Sequence, residues 1–285
     1  MRIADFRWRG AGATAITVNG TRLEADCHGP PPGEESTVVM LHEGLGCVAL
    51  WRNFPQSLAQ ATGFGVFAWS RAGYGQSDPV QLPRPLDYMT REAIDFLPGV
   101  LQAIDFRDGI LLGHSDGASI AAIYAGNVED RRLRGLVLMA PHFFTEPEGL
   151  QSIAEAKSAY ETGDLRARLA RYHGNVDNAF RGWNDAWLDP GFKSWNIAKA
   201  LDNLRVPVLA IQGAGDQYGT LAQIREIENR SRAPVDVEVL PDCRHHPHIE
   251  QPEATMSAIA EFCARLGRAG QVDGGPQARL GCGEL

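Results

Sequence analysis

Two features that are typical of membrane proteins and of nucleic-acid-binding proteins are missing from this 285-residue sequence. No stretch is apolar over the roughly 20 residues that a membrane-spanning helix needs. The 27 lysines and arginines form no basic run, and 35 aspartates and glutamates outnumber them, for a net charge of −8. Because an acidic surface repels a phosphate backbone, nucleic acid is not an expected partner. We therefore expect a chain that binds neither membrane nor nucleic acid.

Cysteine is also scarce, since the five cysteines are far apart, odd in number and never in a Cys-x-x-Cys pair. This usage indicates neither a zinc site nor a disulfide framework. The first ten residues contain three arginines, but no apolar run follows them, so we do not interpret them as a secretory signal. These features predict a cytoplasmic protein, and the sequence leaves a homodimer open.

Short apolar runs alternate with helix-like patterns in the first half of the chain. This alternation predicts βαβ units and therefore an α/β fold, with a mostly parallel sheet covered on both faces. An Asn19-Gly20 turn between alternating residues predicts a hairpin ahead of it. The predicted buried strands are 37–41, 65–69, 110–112 and 136–139. The predicted helices between and after them are 50–61, 87–104 and 115–125.

The alternation stops between residues 146 and 204, where the pattern predicts helices and no strand. An apolar run at 207–211 then restarts the sheet. We predict a core formed by residues 1–145 and 205–266, with residues 146–204 inserted as a helical cap. The Gly-rich residues 267–285 lack periodicity and are predicted to form a flexible tail.

The sequence Gly-His-Ser-Asp-Gly at 113–117 fits G-x-S-x-G and lies directly between an apolar strand and a helix of small residues. A sharp strand-to-helix turn requires glycine on either side of its centre, because a Cβ there would clash. The Ser115 hydroxyl would then stand at a helix N-terminus, which stabilises developing negative charge. We predict that Ser115 is a nucleophile, with a serine that only caps the helix as the alternative.

A serine nucleophile needs a base to take its proton and an acid to orient that base. Asp216 follows the predicted strand 207–211, and His245 follows a further predicted strand at 235–240, so both belong at the rim of the sheet that carries Ser115. We predict Asp216 as the acid and His245 as the base. His246 and His248 are the alternatives for the base. No cysteine or carboxylate set accompanies these histidines, so we predict no metal.

Acyl transfer places negative charge on the substrate oxygen, and two backbone N–H groups usually bind it. We predict the amides of Gly44 and Asp116 as these donors, with Leu45 as the alternative to Gly44. The Asp116 carboxylate is expected to turn away from the oxyanion into a hydrogen bond. Glu43 is expected to pair with Arg71 or to influence the choice of substrate, and a solvated carboxylate is the alternative.

The predicted cap is rich in aromatic residues, which favours an apolar wall for a substrate pocket. The alternative is that these rings form the core of the cap itself. The predicted substrate-binding residues are Glu43, Leu45, His114, Trp183 and Trp187.

Together these motifs resemble the α/β-hydrolase superfamily, from the Asn19-Gly20 hairpin to the last predicted helix. Residues 70–77 stand where members of that superfamily commonly have D-x-x-G-x-G-x-S. His245 and Glu250 keep the spacing of the common G-H-x-x-x-x-E-x-P motif, although Arg244 replaces its glycine. Glu43 replaces the glycine that usually follows the histidine of the oxyanion loop.

The resemblance implies a serine hydrolase with a helical cap and no cofactor. Haloalkane dehalogenases and epoxide hydrolases of this fold carry aspartate where this chain has Ser115. We therefore expect hydrolysis of a carboxylic ester in a small or medium acyl substrate. A C–C bond hydrolase, a lactonase, a thioesterase or a perhydrolase with the same three residues is the alternative. A non-catalytic receptor for a small ligand and a histidine-based metallohydrolase are alternatives from other classes.

Overall fold

Residues 6–8 and 13–272 are described by a computed structural model, and an eight-stranded sheet lies at their centre. The strands lie in the spatial order 1-2-4-3-5-6-7-8. Pairing is antiparallel between the first and second and between the second and fourth strands, and parallel elsewhere. In chain order the strands are β1 (Ala13–Val18), β2 (Thr21–His28), β3 (Thr37–Leu41), β4 (Gly65–Trp69), β5 (Gly109–His114), β6 (Leu133–Met139), β7 (Val208–Gly213) and β8 (Val235–Leu240).

Helices cover both faces of this sheet, so the predicted α/β fold is confirmed. A π-helical segment spans Glu92–Phe96, and short 3₁₀ segments lie at Val48–Trp51, Pro190–Ser194 and Ala198–Asn203. The α-helices of the described residues are α1 (Phe54–Thr62), α2 (Tyr88–Arg91), α3 (Leu97–Ala103), α4 (Asp116–Asn127), α5 (Pro147–Thr162), α6 (Leu165–Leu169), α7 (Val176–Trp187), α8 (Leu221–Arg230), α9 (Pro247–Glu250) and α10 (Pro252–Val272).

The core is divided into two apolar layers, one on each face of the sheet. Alternate residues of a strand enter different layers, because side chains alternate between the faces of a sheet. In β3, Val39 and Leu41 pack with α3 and α4, whereas Val38 and Met40 pack with α1 and α10. All four of these side chains are fully buried. The uninterrupted apolar runs in the sequence therefore reflect strands that are covered on both faces.

The segment between β6 and β7 contains α5, α6, α7 and two of the 3₁₀ segments. The helix α7 carries Trp183 and Trp187 one turn apart, and both indoles are buried. At the other end of the chain, α10 continues through Val272, beyond residue 267, where the flexible tail is predicted to begin. Residues 273–285 of that predicted tail lie outside the described residues.

The helix predicted over residues 50–61 is divided in two. A 3₁₀ turn ends at Trp51, and α1 begins at Phe54. Between them Arg52 takes φ 53° and ψ −130°, which is incompatible with a continuous helix.

The side chains of Cys27, Cys47, Cys243 and Cys263 are buried, and Cys282 lies outside the described residues. No helix in the described part combines the length and the apolar character required to cross a bilayer.

Candidate active site

Ser115 occupies the sharp turn between β5 and α4, with φ 55° and ψ −118°. Non-glycine residues rarely adopt a positive φ, and such strain is commonly found at functional sites. The glycines on either side permit the turn by their lack of a side chain. A Cβ on Gly113 would lie 2.3 Å from the Gly117 carbonyl oxygen, and a Cβ on Gly117 would lie 2.1 Å from the Leu41 carbonyl oxygen. The G-x-S-x-G spacing is thus imposed by backbone packing.

Asp216 and His245 are in direct contact at the ends of neighbouring strands. The Nδ1 atom of His245 lies 2.9 Å from Oδ1 and 2.8 Å from Oδ2 of Asp216. The same carboxylate accepts hydrogen bonds from the Tyr218 amide at 2.8 Å and from Gln212 Nε2 at 2.8 Å. Burial favours the protonated acid, but His245 and these donors outweigh it and lower the pKa of Asp216 to about 2. Asp216 is therefore ionised and fixes a proton on Nδ1 of His245.

Ser115 and His245 line the same cavity, and both are more than nine-tenths buried. Because Nδ1 of His245 faces Asp216, Nε2 is the ring atom available to take a proton. The Ser115 hydroxyl makes no hydrogen bond to His245 within the described residues. Such contacts are often long in unliganded sites and shorten when a substrate is bound.

Three backbone amides beside Ser115 are free to bind an oxyanion. Within the described residues no acceptor takes the amide hydrogen of Gly44, Leu45 or Asp116. Asp116 is the first residue of α4, where a helix leaves its amide unsatisfied. The amides of Gly44 and Leu45 are both unused, so Leu45 remains the alternative to Gly44. All three residues line the cavity.

The Asp116 carboxyl is fully buried and accepts a hydrogen bond of 2.5 Å from the Tyr88 hydroxyl. Trp187 Nε1 donates in turn to the Tyr88 oxygen at 3.0 Å, and Arg71 Nη2 lies 3.8 Å from the carboxylate. Burial raises the pKa of Asp116 in spite of these partners. Burial also raises the pKa of Tyr88 well above its usual value, so the phenol keeps the proton that it donates. The carboxyl is thus engaged in a hydrogen bond, as expected.

Glu43 does not pair with the guanidinium of Arg71, contrary to one of the two predicted roles. Instead Arg71 donates to the backbone carbonyls of His42 and Glu43. The Glu43 carboxylate lies 3.4 Å from Nδ1 of His114 and is 17% exposed, which also rules out a freely solvated carboxylate. Although burial opposes ionisation, His114 holds the pKa of Glu43 well below its usual value. Glu43 also lines the cavity, so an influence on substrate choice stays a prediction.

His114 does not line the cavity, so its predicted contact with substrate is not supported. Its side chain is fully buried because it belongs to β5, within the sheet. Its Nε2 atom donates to the backbone carbonyl of His245 at 2.7 Å, while Nδ1 faces Glu43. His114 therefore connects the oxyanion loop to the loop that carries His245.

The cavity has a volume of about 360 Å³. Apolar side chains form most of its wall, and many of them come from α5, α6 and α7. The predicted Leu45, Trp183 and Trp187 are among them. The apolar residues that line it are Leu45, Leu50, Ile153, Ala156, Leu165, Leu169, Trp183, Trp187 and Ile249.

Sequence reasoning missed several polar residues of this cavity, including Arg52, His142 and Tyr218. His142 comes directly after β6, and its position at a strand end is a signal that could have identified it. Burial and the neighbouring His245 lower the pKa of His142 to about 3, so its ring is neutral. His246 also lines the cavity, and burial followed by repulsion from His114 lowers its pKa to about 4.

His248 has a different environment from the two histidines before it in the chain. Its ring packs against Trp51 and Phe54, with centroid distances of 4.9 and 5.4 Å. It does not line the cavity. His248 is therefore not placed to act as the base, and His245 is the histidine that contacts Asp216.

Residues 38–258 match the sequence profile of the alpha/beta hydrolase family. Epoxide hydrolase B of Mycobacterium tuberculosis is 30% identical over 116 residues, which are 41% of this chain and 32% of that protein. The match thus spans about a third of the length of this curated relative. The non-heme chloroperoxidase of Streptomyces lividans is 26% identical over 239 residues, covering 72% of this chain and 82% of that protein.

Solved structures share the fold at lower sequence identity. A membrane phospholipase A described as a bacterial virulence factor superposes with a TM-score of 0.73 at 19% identity, covering 90% of this chain and 87% of that one. The enol-lactonase from Burkholderia xenovorans LB400 has a TM-score of 0.67 at 20% identity, covering 88% of this chain and 100% of that one. At these identities the similarity establishes the fold alone.

Proposed function

The chain belongs to the alpha/beta hydrolase family, and from this premise we propose that it is a serine hydrolase that cleaves a carboxylic ester of a small acyl substrate. The observation that carries the proposal is the contact between Asp216 and Nδ1 of His245, because it leaves Nε2 able to accept a proton. Ser115 lines the same cavity as that imidazole and has the strained backbone typical of a nucleophile.

In the proposed first step, His245 Nε2 takes the hydroxyl proton of Ser115 while the serine oxygen attacks the ester carbon. The carbonyl oxygen becomes an oxyanion, held by the amide of Asp116 and that of Gly44 or Leu45. Asp216 balances the charge on the imidazolium. The proton then passes from Nε2 to the departing alcohol as the ester C–O bond breaks, which leaves an acyl group on Ser115.

Deacylation repeats these steps with water as the nucleophile. His245 takes a proton from the water, whose oxygen attacks the acyl carbon, and the same amides hold the second oxyanion. The proton returns to the oxygen of Ser115 as its bond to the acyl carbon breaks. The products are a carboxylic acid and an alcohol, and the enzyme is regenerated.

We further propose that the helices between β6 and β7 act as a cap over the reacting groups. Trp183 and Trp187 of α7, Ile153 of α5 and Leu165 of α6 support this role, because all four line the cavity together with Ser115. Apolar walls exclude water and strengthen the electrostatic interactions inside a site. They also fit an apolar acyl chain or ring.

The direct test is labelling by a fluorophosphonate probe, combined with hydrolysis of a panel of p-nitrophenyl esters, thioesters, lactones and ring-fission diketones. The wild type and a Ser57→Ala control, which changes an exposed serine on α1, should be labelled and should hydrolyse esters. Ser115→Ala should lose labelling and at least about 10³-fold in kcat. Unchanged ester hydrolysis in Ser115→Ala would refute the assignment of Ser115 as the nucleophile. Turnover of thioesters, lactones or diketones without turnover of esters would refute the ester as the substrate class.

A further inference from the structure

Arg52 has an unusual backbone for a residue of its type. It follows the 3₁₀ turn Val48–Trp51 with φ 53° and ψ −130°, close to the angles of Ser115. Glycine adopts positive φ at little cost, whereas an arginine there is strained. Strained residues of this kind concentrate at active sites and ligand clamps. The chain therefore retains a long cationic side chain at a position where its backbone favours glycine.

The Arg52 side chain is exposed and lines the cavity that contains Ser115. The same residue, together with Ile249, also lines a neighbouring surface groove between α1 and α10. Arg52 therefore lies between the cavity that contains Ser115 and the exposed surface of the protein.

Arg52 is also the charged residue of the cavity wall that lacks a partner. Within the described residues its guanidinium makes no hydrogen bond or ion pair, whereas Glu43 faces His114. The Asp116 carboxyl has the Tyr88 hydroxyl as donor and Arg71 nearby. The acidic groups of the cavity wall are thus matched by partners, and the exposed positive charge of Arg52 is not.

From these three observations we propose that Arg52 binds a carboxylate at the end of the substrate remote from the ester, so that the preferred substrates are monoesters of dicarboxylic acids. This inference rests on the proposed function and names its substrate class. A guanidinium suits a planar carboxylate because it can donate two parallel hydrogen bonds. A single guanidinium balances one negative charge, which a carboxylate supplies. The apolar side chains of Leu50 and Ile249, which line the same cavity, suit the methylene chain between the two ends.

The test uses mono-p-nitrophenyl esters of adipic, pimelic and suberic acid, each compared with the same ester carrying a methyl-capped second carboxyl. In the wild type the best acidic ester should exceed its neutral counterpart about tenfold or more in kcat/KM. Arg52→Gln should lower the ratio of acidic-ester to neutral-ester kcat/KM to about one. Arg52→Lys should keep part of it, because the charge remains but the two-pronged donor is lost.

Arg225→Gln is the matched control, because Arg225 is an exposed arginine on α8 that does not line the cavity. It should leave the kcat/KM values of all the esters unchanged. Equal kcat/KM for acidic and neutral esters in the wild type, or a preference that survives Arg52→Gln, would overturn the proposal. The neutral esters report in the same assay whether a variant is correctly folded.

A binding measurement separates this inference from the proposed function. Adipamate, which has one carboxylate, and adipamide, which has none, are titrated by calorimetry into Ser115→Ala and into Ser115→Ala/Arg52→Gln. Adipamate should bind the first variant about tenfold more tightly than adipamide, and this difference should disappear in the second. Equal affinities in the first variant would overturn the role of Arg52. Absence of Ser115-dependent hydrolysis would instead overturn the proposed function and leave the binding result intact.

Discussion

The indole of Trp183 rests directly on the backbone of Gly44. A Cβ on Gly44 would lie 2.2 Å from Nε1 and 2.4 Å from Cδ1 of that ring. Glycine is therefore required here by close packing, and the contact joins α7 to the loop that carries one proposed oxyanion donor. The neighbouring Trp187, one turn later on α7, reaches the second donor through Tyr88 and Asp116. Both proposed donors thus depend on the same helix.

Gly44→Ala should displace either the loop or the indole and so misplace the oxyanion donor. We expect kcat to fall about 10²-fold on the best p-nitrophenyl ester, the magnitude typical of losing one such donor. Gly267→Ala is the control, because a Cβ at that position meets no atom within 4 Å. Gly44→Ala/Trp183→Leu should recover part of the activity by relieving the clash. Full activity in Gly44→Ala would show that this amide does not bind the oxyanion.

The sequence was sufficient to predict that three candidate site residues follow the ends of strands. Ser115, Asp216 and His245 each follow a strand of a parallel sheet, and the carboxyl ends of such strands share one rim. The apolar runs that identify those strands are continuous because both faces of the sheet are covered. For this reason the strands predicted at 37–41 and 65–69 coincide with β3 and β4.

The supporting contacts could not be predicted, because they join segments that are distant in the chain. Nothing in the local sequence indicates that Tyr88 donates to Asp116 or that Arg52 lines the cavity. For His114 the sequence predicts a contact with substrate that the structure does not support. His114 lies next to Ser115 in the sequence, but it is the last residue of β5 and is fully buried behind Glu43 and His245, which line the cavity.

Asp216→Asn should make the free energy of unfolding less dependent on pH in the acid range. The folded-state pKa of Asp216 is about 2, below its ordinary 3.8, so ionisation favours the folded state. This stabilisation, about 2 kcal/mol, is fully present above roughly pH 4 and is lost as the pH falls toward 2. The free energies of unfolding in urea of the wild type and the variant should differ by about that amount at pH 7 and by roughly half of it at pH 3, and they should converge as the pH falls toward 2.

The control for this comparison is Asp236→Asn, since Asp236 is 55% exposed on β8. Its free energy of unfolding should stay within about 0.5 kcal/mol of the wild type. A stability difference for Asp216→Asn that is the same at pH 7 and pH 3 would contradict the depressed pKa. Asp216→Asn should also lose about 10³-fold or more in kcat, because the asparagine side chain cannot fix the proton of His245 on Nδ1 as the carboxylate does.

Tyr88→Phe tests whether the Tyr88 hydroxyl positions Asp116 for catalysis or only stabilises the fold. The change removes a hydroxyl that donates to the buried Asp116 carboxyl and also takes away the acceptor of Trp187 Nε1. Leaving a buried carboxyl without its hydrogen bond costs about 1–3 kcal/mol. We expect the Asp116 carboxyl to rotate toward Arg71 or the cavity in order to find a new partner, and this rotation would shift the Asp116 amide. We expect kcat to fall about tenfold with a smaller change in KM, because the oxyanion forms only during the reaction.

Tyr124→Phe provides the matched comparison, because the buried Tyr124 hydroxyl donates to Asp130 at 2.7 Å and neither residue lines the cavity. Both variants should lose stability in urea unfolding, by about 1–3 kcal/mol each. Only Tyr88→Phe should lose kcat, since only its partner carries a proposed oxyanion donor on its own backbone. Equal kcat in the two variants would mean that the chain from Trp187 through Tyr88 to Asp116 stabilises the fold without positioning the reacting groups.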